Sequence, residues 1–551
     1  MRGERLVQCA DQRRHSASRY LHACRLTADL TAGRPSPVDL ALHPTGSHAP
    51  LPRSPLSRLL RSLPESRPAP PCVAVAVRAA LPLVLVAAIA PPGSAIVHHV
   101  DPIAGSAAGD GTVLNPWLSL EQVWADGLIE TRVWDELPYD PDDVLEPVNP
   151  GAPVQPGDTL WLYGGDHGAF DVRGAYNEQT ITVAAAPGET PYLSRIELEA
   201  AQNWHFRGLT VRPSQWPSSG TLVRIQDHGW WGPTWDVVVE DCELYTALDA
   251  SSWTAIDWID NAWSGFNVTG DRVEIRGNRL RNVRHGITVS GEDAVVSRNR
   301  IDGFSADGMR GLGDGGAFLY NVVMNAFVGS GHGDGNHDDG FQSWSNGPGG
   351  VGTGEVRDVV LRGNLFLNGE DPDHPLHSTL QGIGCFDGLF VNWTVEDNVV
   401  ATDHWHGISF YGMVDSRIVN NTVLDINDSS PGPPWIRVTS SNGTPSENVV
   451  VANNLSTSYS LSGTNVLDAS NRTIVDAASH FVAPPLDLTL LATSTALDAG
   501  DALHATARDR LGVARPQGAL PDQGALERCP GCLFADGFES QDAYAWSRRS
   551  P

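Results

Sequence analysis

Residues 273–280 read VEIRGNRL and residues 294–301 read AVVSRNRI. Each is a short strand of alternating apolar residues, then an asparagine, then further apolar positions. The phrase returns as AFLYNVV (317–323), VVLRGNLF (359–366), WTVEDNVV (393–400), RIVNNTVL (417–424) and VVVANNLS (449–456). The asparagines are Asn278, Asn299, Asn321, Asn364, Asn398, Asn421 and Asn454, separated by 21, 22, 43, 34, 23 and 33 residues. Cys242, in VVVEDCEL (237–244), stands where an earlier copy would carry asparagine. A base period of 21 to 23 residues, lengthened by insertions, marks a solenoid whose copies stack on one another. The density of Val, Ile, Asn and Gly excludes a helical solenoid, and period-2 alternation makes the stacked units strands with one face buried. Asparagine suits the corner because it tolerates a left-handed backbone and its amide can hydrogen-bond the next copy.

A second phrase follows each asparagine: RHGITVSG (284–291), ADGMRGLG (306–313), DDGFQSWS (338–345), LQGIGCFD (380–387), WHGISFYG (405–412) and PPWIRVTS (433–440). Aligned, these form one strand per copy in which Ile287, Met309, Phe341, Ile383, Ile408 and Ile436 point inward. The next residue of each points outward: Thr288, Arg310, Gln342, Gly384, Ser409 and Arg437. Two positions on, a second outward column reads Ser290, Leu312, Trp344, Phe386, Tyr411 and Thr439. His285, Asp307, Asp339, Gln381 and His406 stand at the turn before their strands. From asparagine to outward column takes ten or eleven residues in the simplest copies, but 21 from Asn321 to Gln342, 20 from Asn364 to Gly384 and 16 from Asn421 to Arg437. Three long loops therefore leave the same corner and should form the wall of a cleft over this face.

Stacked strands lie about 4.8 Å apart, which makes Asp307 and Asp339 neighbours on successive copies. Carboxylates that close share a proton, bind a cation or pair with a base such as Arg310. Asp307, Arg310, Asp339, His337 and His406 are the candidate catalytic residues. Asp307, Asp338 and Asp339 are candidate ligands for a calcium ion. Gln342, Trp344, Phe386, Tyr411 and Gln381 are candidate substrate-binding residues, since aromatic faces take sugar C–H groups while amides take hydroxyls. Each acid or histidine alone also suits a turn that accepts backbone N–H groups. An aromatic row on an outward face has no such structural explanation.

The chain of 551 residues carries a formal charge of -28 and no lysine, all 37 basic residues being arginine. An acidic surface without basic clusters counts against nucleic acid as a partner. Residues 1–77 hold most of an arginine-, proline- and serine-rich stretch with no lasting periodicity, read as unstructured or as an extension from a start codon set too far upstream. Residues 78–95, RAALPLVLVAAIAPPGSA, have the layout of a secretory signal peptide, which predicts a secreted or cell-surface protein with no membrane segment once the leader is removed. In an exported chain, Cys529 and Cys532 of CPGC suit a small disulfide.

The asparagine-punctuated strands resemble those of right-handed parallel β-helix proteins of the pectate-lyase-like type. The resemblance extends to 96–124 and PGDTLWLYGGDHGAF (156–170) as an opening segment, with Leu118 to Trp124 as a short capping helix, and to 495–527 as a closing segment. It implies an all-β fold: one right-handed parallel β-helix over residues 96–527, followed by a tail at 528–551. The tail, with DGFESQDAYAW (536–546), is similar to one that ends many exported gammaproteobacterial proteins. The fold hosts lyases, hydrolases, epimerases and adhesins, so it does not select an activity. The expected function is a polysaccharide lyase cleaving a uronic-acid polymer by β-elimination. Arg310 would be the base, with His337 or His406 as substitutes, because β-helix lyases use Arg or Lys and this chain has no lysine. The alternatives are a glycoside hydrolase using the Asp307–Asp339 pair and a non-catalytic glycan-binding or adhesin-type surface protein.

Overall fold

The computed structural model describes residues 95–369, 373–427 and 430–531. The leader-like run up to Ser94, Cys532 and the tail from 532 onward lie outside the described residues.

Each copy of the repeat makes one turn built from three short strands. In one turn these are Glu274–Arg276, Arg279–Val283 and Ile287–Val289, and in the next Val295–Ser297, Arg300–Phe304 and Met309–Gly311. Each strand pairs in parallel with its counterpart, with Ile275 opposite Val296, Leu280 opposite Ile301 and Ile287 opposite Met309. The molecule is a right-handed parallel β-helix. Its interior is a continuous apolar core running from Val100 to Val451, filled by the inward residue of each strand. Ile287, Met309, Phe341, Ile383, Ile408 and Ile436 form one inward column, all nearly or fully buried.

The asparagines line one corner and are joined by hydrogen bonds. Asn278 Nδ2 donates to Asn299 Oδ1 (3.0 Å), Asn299 Nδ2 to Asn321 Oδ1 (3.1 Å) and Asn321 Nδ2 to Asn364 Oδ1 (3.0 Å). The series continues through Asn398, Asn421 and Asn454 to Asn471, and at its other end the Cys242 backbone N–H donates to Asn278 Oδ1 (2.9 Å). The left-handed backbone expected of the asparagines is found one residue earlier. Gly277, Arg298, Tyr320, Gly363, Asp397, Asn420 and Asn453 have φ between 54° and 69°, which turns the chain and leaves the following asparagine free to point into the stack.

The capping helix spans Leu120–Ala125 and starts later than expected, because Ser119 is its N-cap and accepts from the Gln122 N–H (3.2 Å). Leu120 and Val123 close the end of the core. The last coil strand is Arg472–Thr473, after which residues 474–531 lie along the outside of the second strand of the later turns. Those strands are apolar on both faces, as VVM (322–324), LFL (365–367) and VVAT (399–402) show, and their outward Val322, Met324, Leu367, Val399 and Leu424 are buried with Ile474, Phe481, Leu490 and Ala525. Left-handed corner residues anchor this closing segment: Thr506 N–H donates to Asn420 Oδ1 (3.1 Å), Asp501 N–H to Asn453 Oδ1 (2.6 Å), and buried Arg515 joins Asp397 (3.1 Å) to Glu527 (3.2 Å). Cys529 is disulfide-bonded. Among the described residues no helix is long and apolar enough to cross a membrane.

Candidate active site

The third strands of successive turns carry the site. Their outward column reads Thr288, Arg310, Gln342, Gly384, Ser409 and Arg437 by direct register pairing. The long insertions leave the corner just before these strands. The loops around 327–337 and 373–379 lie against each other, with Val328 N–H donating to Leu376 O (2.8 Å) and His332 Nε2 3.1 Å from Pro375 O.

At one end of the column stands an acid–base group. Asp307 and Asp339 lie on adjacent turns, and the Asp339 backbone N–H donates to Asp307 Oδ1 (3.1 Å). Arg310 gives both Nε (2.5 Å) and Nη2 to Asp307 Oδ2. Asp339 Oδ2 takes His337 Nδ1 (2.8 Å) and Gln342 Nε2 (3.0 Å). Its other oxygen, Oδ1, is buried without a hydrogen bond. It faces the gap left by Gly384, where a Cβ would lie 2.4 Å from that oxygen and 2.8 Å from the Phe386 ring. Both carboxylates are almost wholly shielded from solvent, whereas the His337 side chain is 53% exposed. Burial, with Asp307 alongside, pushes Asp339 up to about 7. Burial raises Asp307 as well, against the pull of the Arg310 guanidinium. The hydrogen bond and charge of Asp339 raise His337 above its ordinary value. The pair thus holds a proton near neutral pH, with the imidazole as its solvent-facing member.

Further along stands an aromatic group. The Phe386 ring meets Tyr411 (5.3 Å) and His406 (4.7 Å) edge-on, and His406 meets Trp435 (5.5 Å). The Ser409 hydroxyl holds both His406 Nδ1 (2.9 Å) and Trp435 Nε1 (3.1 Å). Burial pushes His406 down to about 4, so it is neutral here. His406 belongs to this group, two turns from Asp339, and does not touch the acid pair.

Other sequence-derived roles also change in the structure. Arg310 is committed to Asp307 by two N–H groups, which makes it a counterion and not a poised base. Asp338 turns away from Asp339, toward Ser378 and Gly329 beneath the loop, and burial drives its carboxyl well above the usual range. The donor set does not suit calcium: three of the four Asp307 and Asp339 oxygens face arginine, amide and imidazole donors, leaving only Asp339 Oδ1 open, and among the described residues no three His, Cys, Asp or Glu side chains are grouped to hold a metal ion. The aromatic row is broken by a bulge between Ser343 and Trp344, which sets Trp344 opposite Asp387. Trp344 lies instead against the Arg310 guanidinium (5.3 Å). Gln381 pairs with Asp339 in register but is buried, its Oε1 without a partner. Sequence reasoning placed Trp435 and Arg437 in the right strand without assigning them a role; the aromatic flanks of Arg437 were the missing signal. A cavity of about 430 Å³ lined by Leu248, Arg279, Arg281 and Asp302 lies on the second strands and contains none of these residues.

A family model described as right handed beta helix region matches residues 264–450. The chain is also similar, at low identity, to solved structures of other proteins. Pectate lyase Pel9A matches at 16% identity over 79% of this chain and 96% of its own, with a TM-score of 0.41. XylC in complex with xylose matches at 10% identity over 79% and 99%, with a TM-score of 0.40. A rhamnogalacturonan lyase matches at 13% identity over 73% and 96%, with a TM-score of 0.36. No curated protein matches the chain.

Proposed function

We propose that this chain is a carbohydrate-active β-helix protein that cleaves a uronic-acid polysaccharide by β-elimination, with His337 as the base. The observation that carries the reading is the His337–Asp339 pair: a solvent-facing imidazole whose Nδ1 is held at 2.8 Å by a buried carboxylate. That hydrogen bond fixes the tautomer with Nδ1 protonated and leaves Nε2 as the basic nitrogen toward the cleft. In the proposed step Nε2 takes the proton from C5 of the uronate, the C–H electron pair forms the C4–C5 double bond, and the C4–O bond breaks. The departing oxygen regains a proton from the imidazolium or from water. Arg310, anchored through Nε and Nη2, presents its remaining N–H groups under Trp344 to the uronate carboxylate and the charge that builds on it.

The burial of the two carboxylates favours elimination over hydrolysis. A hydrolase needs two carboxyl groups flanking the scissile bond, and here Asp307 has both oxygens engaged while Asp339 has one, with neither open to solvent. The test is incubation with a panel of uronic-acid polymers. An ultraviolet-absorbing unsaturated end should appear with wild type and vanish with His337→Ala. New reducing ends without that absorbance would establish hydrolysis instead, and binding without cleavage would establish a glycan-binding protein.

A further inference from the structure

Arg437 differs from the other arginines of this face. Arg310 is neutralised by Asp307, and Arg284 lies 3.9 Å from Asp334. Arg437 has no carboxylate within ion-pair distance among the described residues. Its guanidinium lies between two rings, 5.4 Å from the Tyr411 centroid and 5.0 Å from that of Trp435. Its Nε is buried and makes no hydrogen bond. The two rings flank the half-buried guanidinium and leave its Nε out of water without an acceptor, which is costly for a polar group of a cation that gains no anion in return. In a chain with 65 acidic against 37 basic residues, the absence of a counterion is a local feature of this strand and not a shortage of acids.

The position matters as much as the charge. Arg437 follows Gln342 in the outward column by three turns, through Gly384 and Ser409. At about 4.8 Å per turn that places it roughly 14 Å along the coil from the residue hydrogen-bonded to Asp339. Neither intervening residue projects a long side chain: Gly384 has none, and the Ser409 hydroxyl is turned to His406 and Trp435. Phe386 and Tyr411 flank this stretch as one edge-to-face aromatic pair.

We infer that Arg437, held between Tyr411 and Trp435, is an anion-recognition subsite that takes a carboxylate or sulfate of the glycan at a sugar remote from the cleaved bond. This rests on the proposed glycan cleft and adds to it: the polymer must carry acidic groups at two places, one at the His337–Asp339 centre and one about 14 Å away. Arg437 would then select charged over neutral chains, through a bidentate pair that lysine could not reproduce.

The test measures binding of wild type and Arg437→Gln by affinity electrophoresis in gels containing polygalacturonate, alginate, the carboxyl-reduced neutral form of each, or dextran sulfate, with thermal melts to show that the variant is folded. Wild type should prefer at least one anionic polymer over its neutral counterpart, and the variant should lose about tenfold or more of that preference, on the scale of a charge-assisted hydrogen bond. Preference for the uronates alone would identify carboxylate, and for dextran sulfate as well a general anion site. Equal preference in variant and wild type, or none in wild type, would overturn the inference. Uronate cleavage by wild type is scored separately, so that loss of preference without cleavage would leave the subsite standing and remove the lyase reading, while cleavage with unchanged preference would do the reverse.

Discussion

Replacing Asn364 by alanine removes the side chain that joins three turns at the corner feeding the site strands. Its Oδ1 accepts from the Asn321 backbone N–H (2.9 Å) and from Asn321 Nδ2 (3.0 Å). Its Nδ2 donates to Phe318 O (2.9 Å) and Asn398 Oδ1 (2.9 Å). Alanine leaves the buried Asn321 N–H without an acceptor, at a cost of about 1–3 kcal/mol, and weakens three further bonds worth roughly 0.5–1 kcal/mol each. The losses are partly offset: Asn321 Nδ2 retains Val296 O (2.8 Å), and Asn398 Oδ1 retains the residue-364 backbone N–H (2.9 Å). The expected destabilisation is about 2–5 kcal/mol, a large share of the ~5–15 kcal/mol that holds a typical domain. Because each turn touches only its neighbours, the damage should concentrate near Asn321 and Asn398. Urea unfolding followed by tryptophan fluorescence measures the midpoint, and amide exchange shows where the coil opens. Asn267→Ala is the control, an outward-facing asparagine for which no side-chain bond is seen among the described residues. A midpoint for Asn364→Ala no lower than that of the control would refute the argument that the asparagine stack holds the coil.

Three further outcomes follow from the geometry. Asp339→Asn should lower turnover by about 10²-fold or more, as expected for a group that orients a base. It should also flatten the pH dependence of stability: Asp339 sits at about 7 in the fold against 3.8 unperturbed, so its contribution is full below pH 3.8 and lost as pH rises through 7. Melting temperature should therefore fall less for the variant than for wild type between pH 4 and pH 8, and parallel curves would contradict the assignment. Gly384→Ala should leave the strand intact but displace Asp339 or Phe386, lowering turnover at little cost in melting temperature; full activity would show that the gap has no role. Arg515→Gln should cost about 3–5 kcal/mol by leaving Asp397 and Glu527 buried without their cation, and protease should then cut within 474–531 before the coil.

The periodic features of the sequence predicted the matching parts of the structure. Alternation with period two sorted the inward isoleucines from the outward column, and the recurring asparagine marked the corner, because both are local and repeat every turn. What depends on side-chain choice between turns was not legible. The left-handed residue precedes the asparagine, a shift of one that the repeat alone does not determine. The bulge after Ser343 moves Trp344 off the aromatic row and onto Arg310. Arg310 looked like a base by residue type, yet Asp307, three residues earlier, claims its N–H groups. The outward faces of 322–324 and 399–402 are apolar, yet the repeat pattern gave no sign that residues 474–531 cover them. Arg437 was visible in the column, but its lack of a counterion shows only once the neighbouring turns are stacked.

The central claim is that His337, oriented by Asp339, removes a proton in a cleft for acidic glycans. The most direct measurement is the pH–rate profile of unsaturated-product formation from the best uronic-acid polymer, for wild type and His337→Ala. Because Asp339 raises His337 above 6.5, the free base accumulates only above that value, and the wild-type rate should climb with pH through the neutral range into the alkaline. His337→Ala should be slower by about 10²-fold or more and lack that limb. A profile of the same shape and height in both proteins would contradict the account.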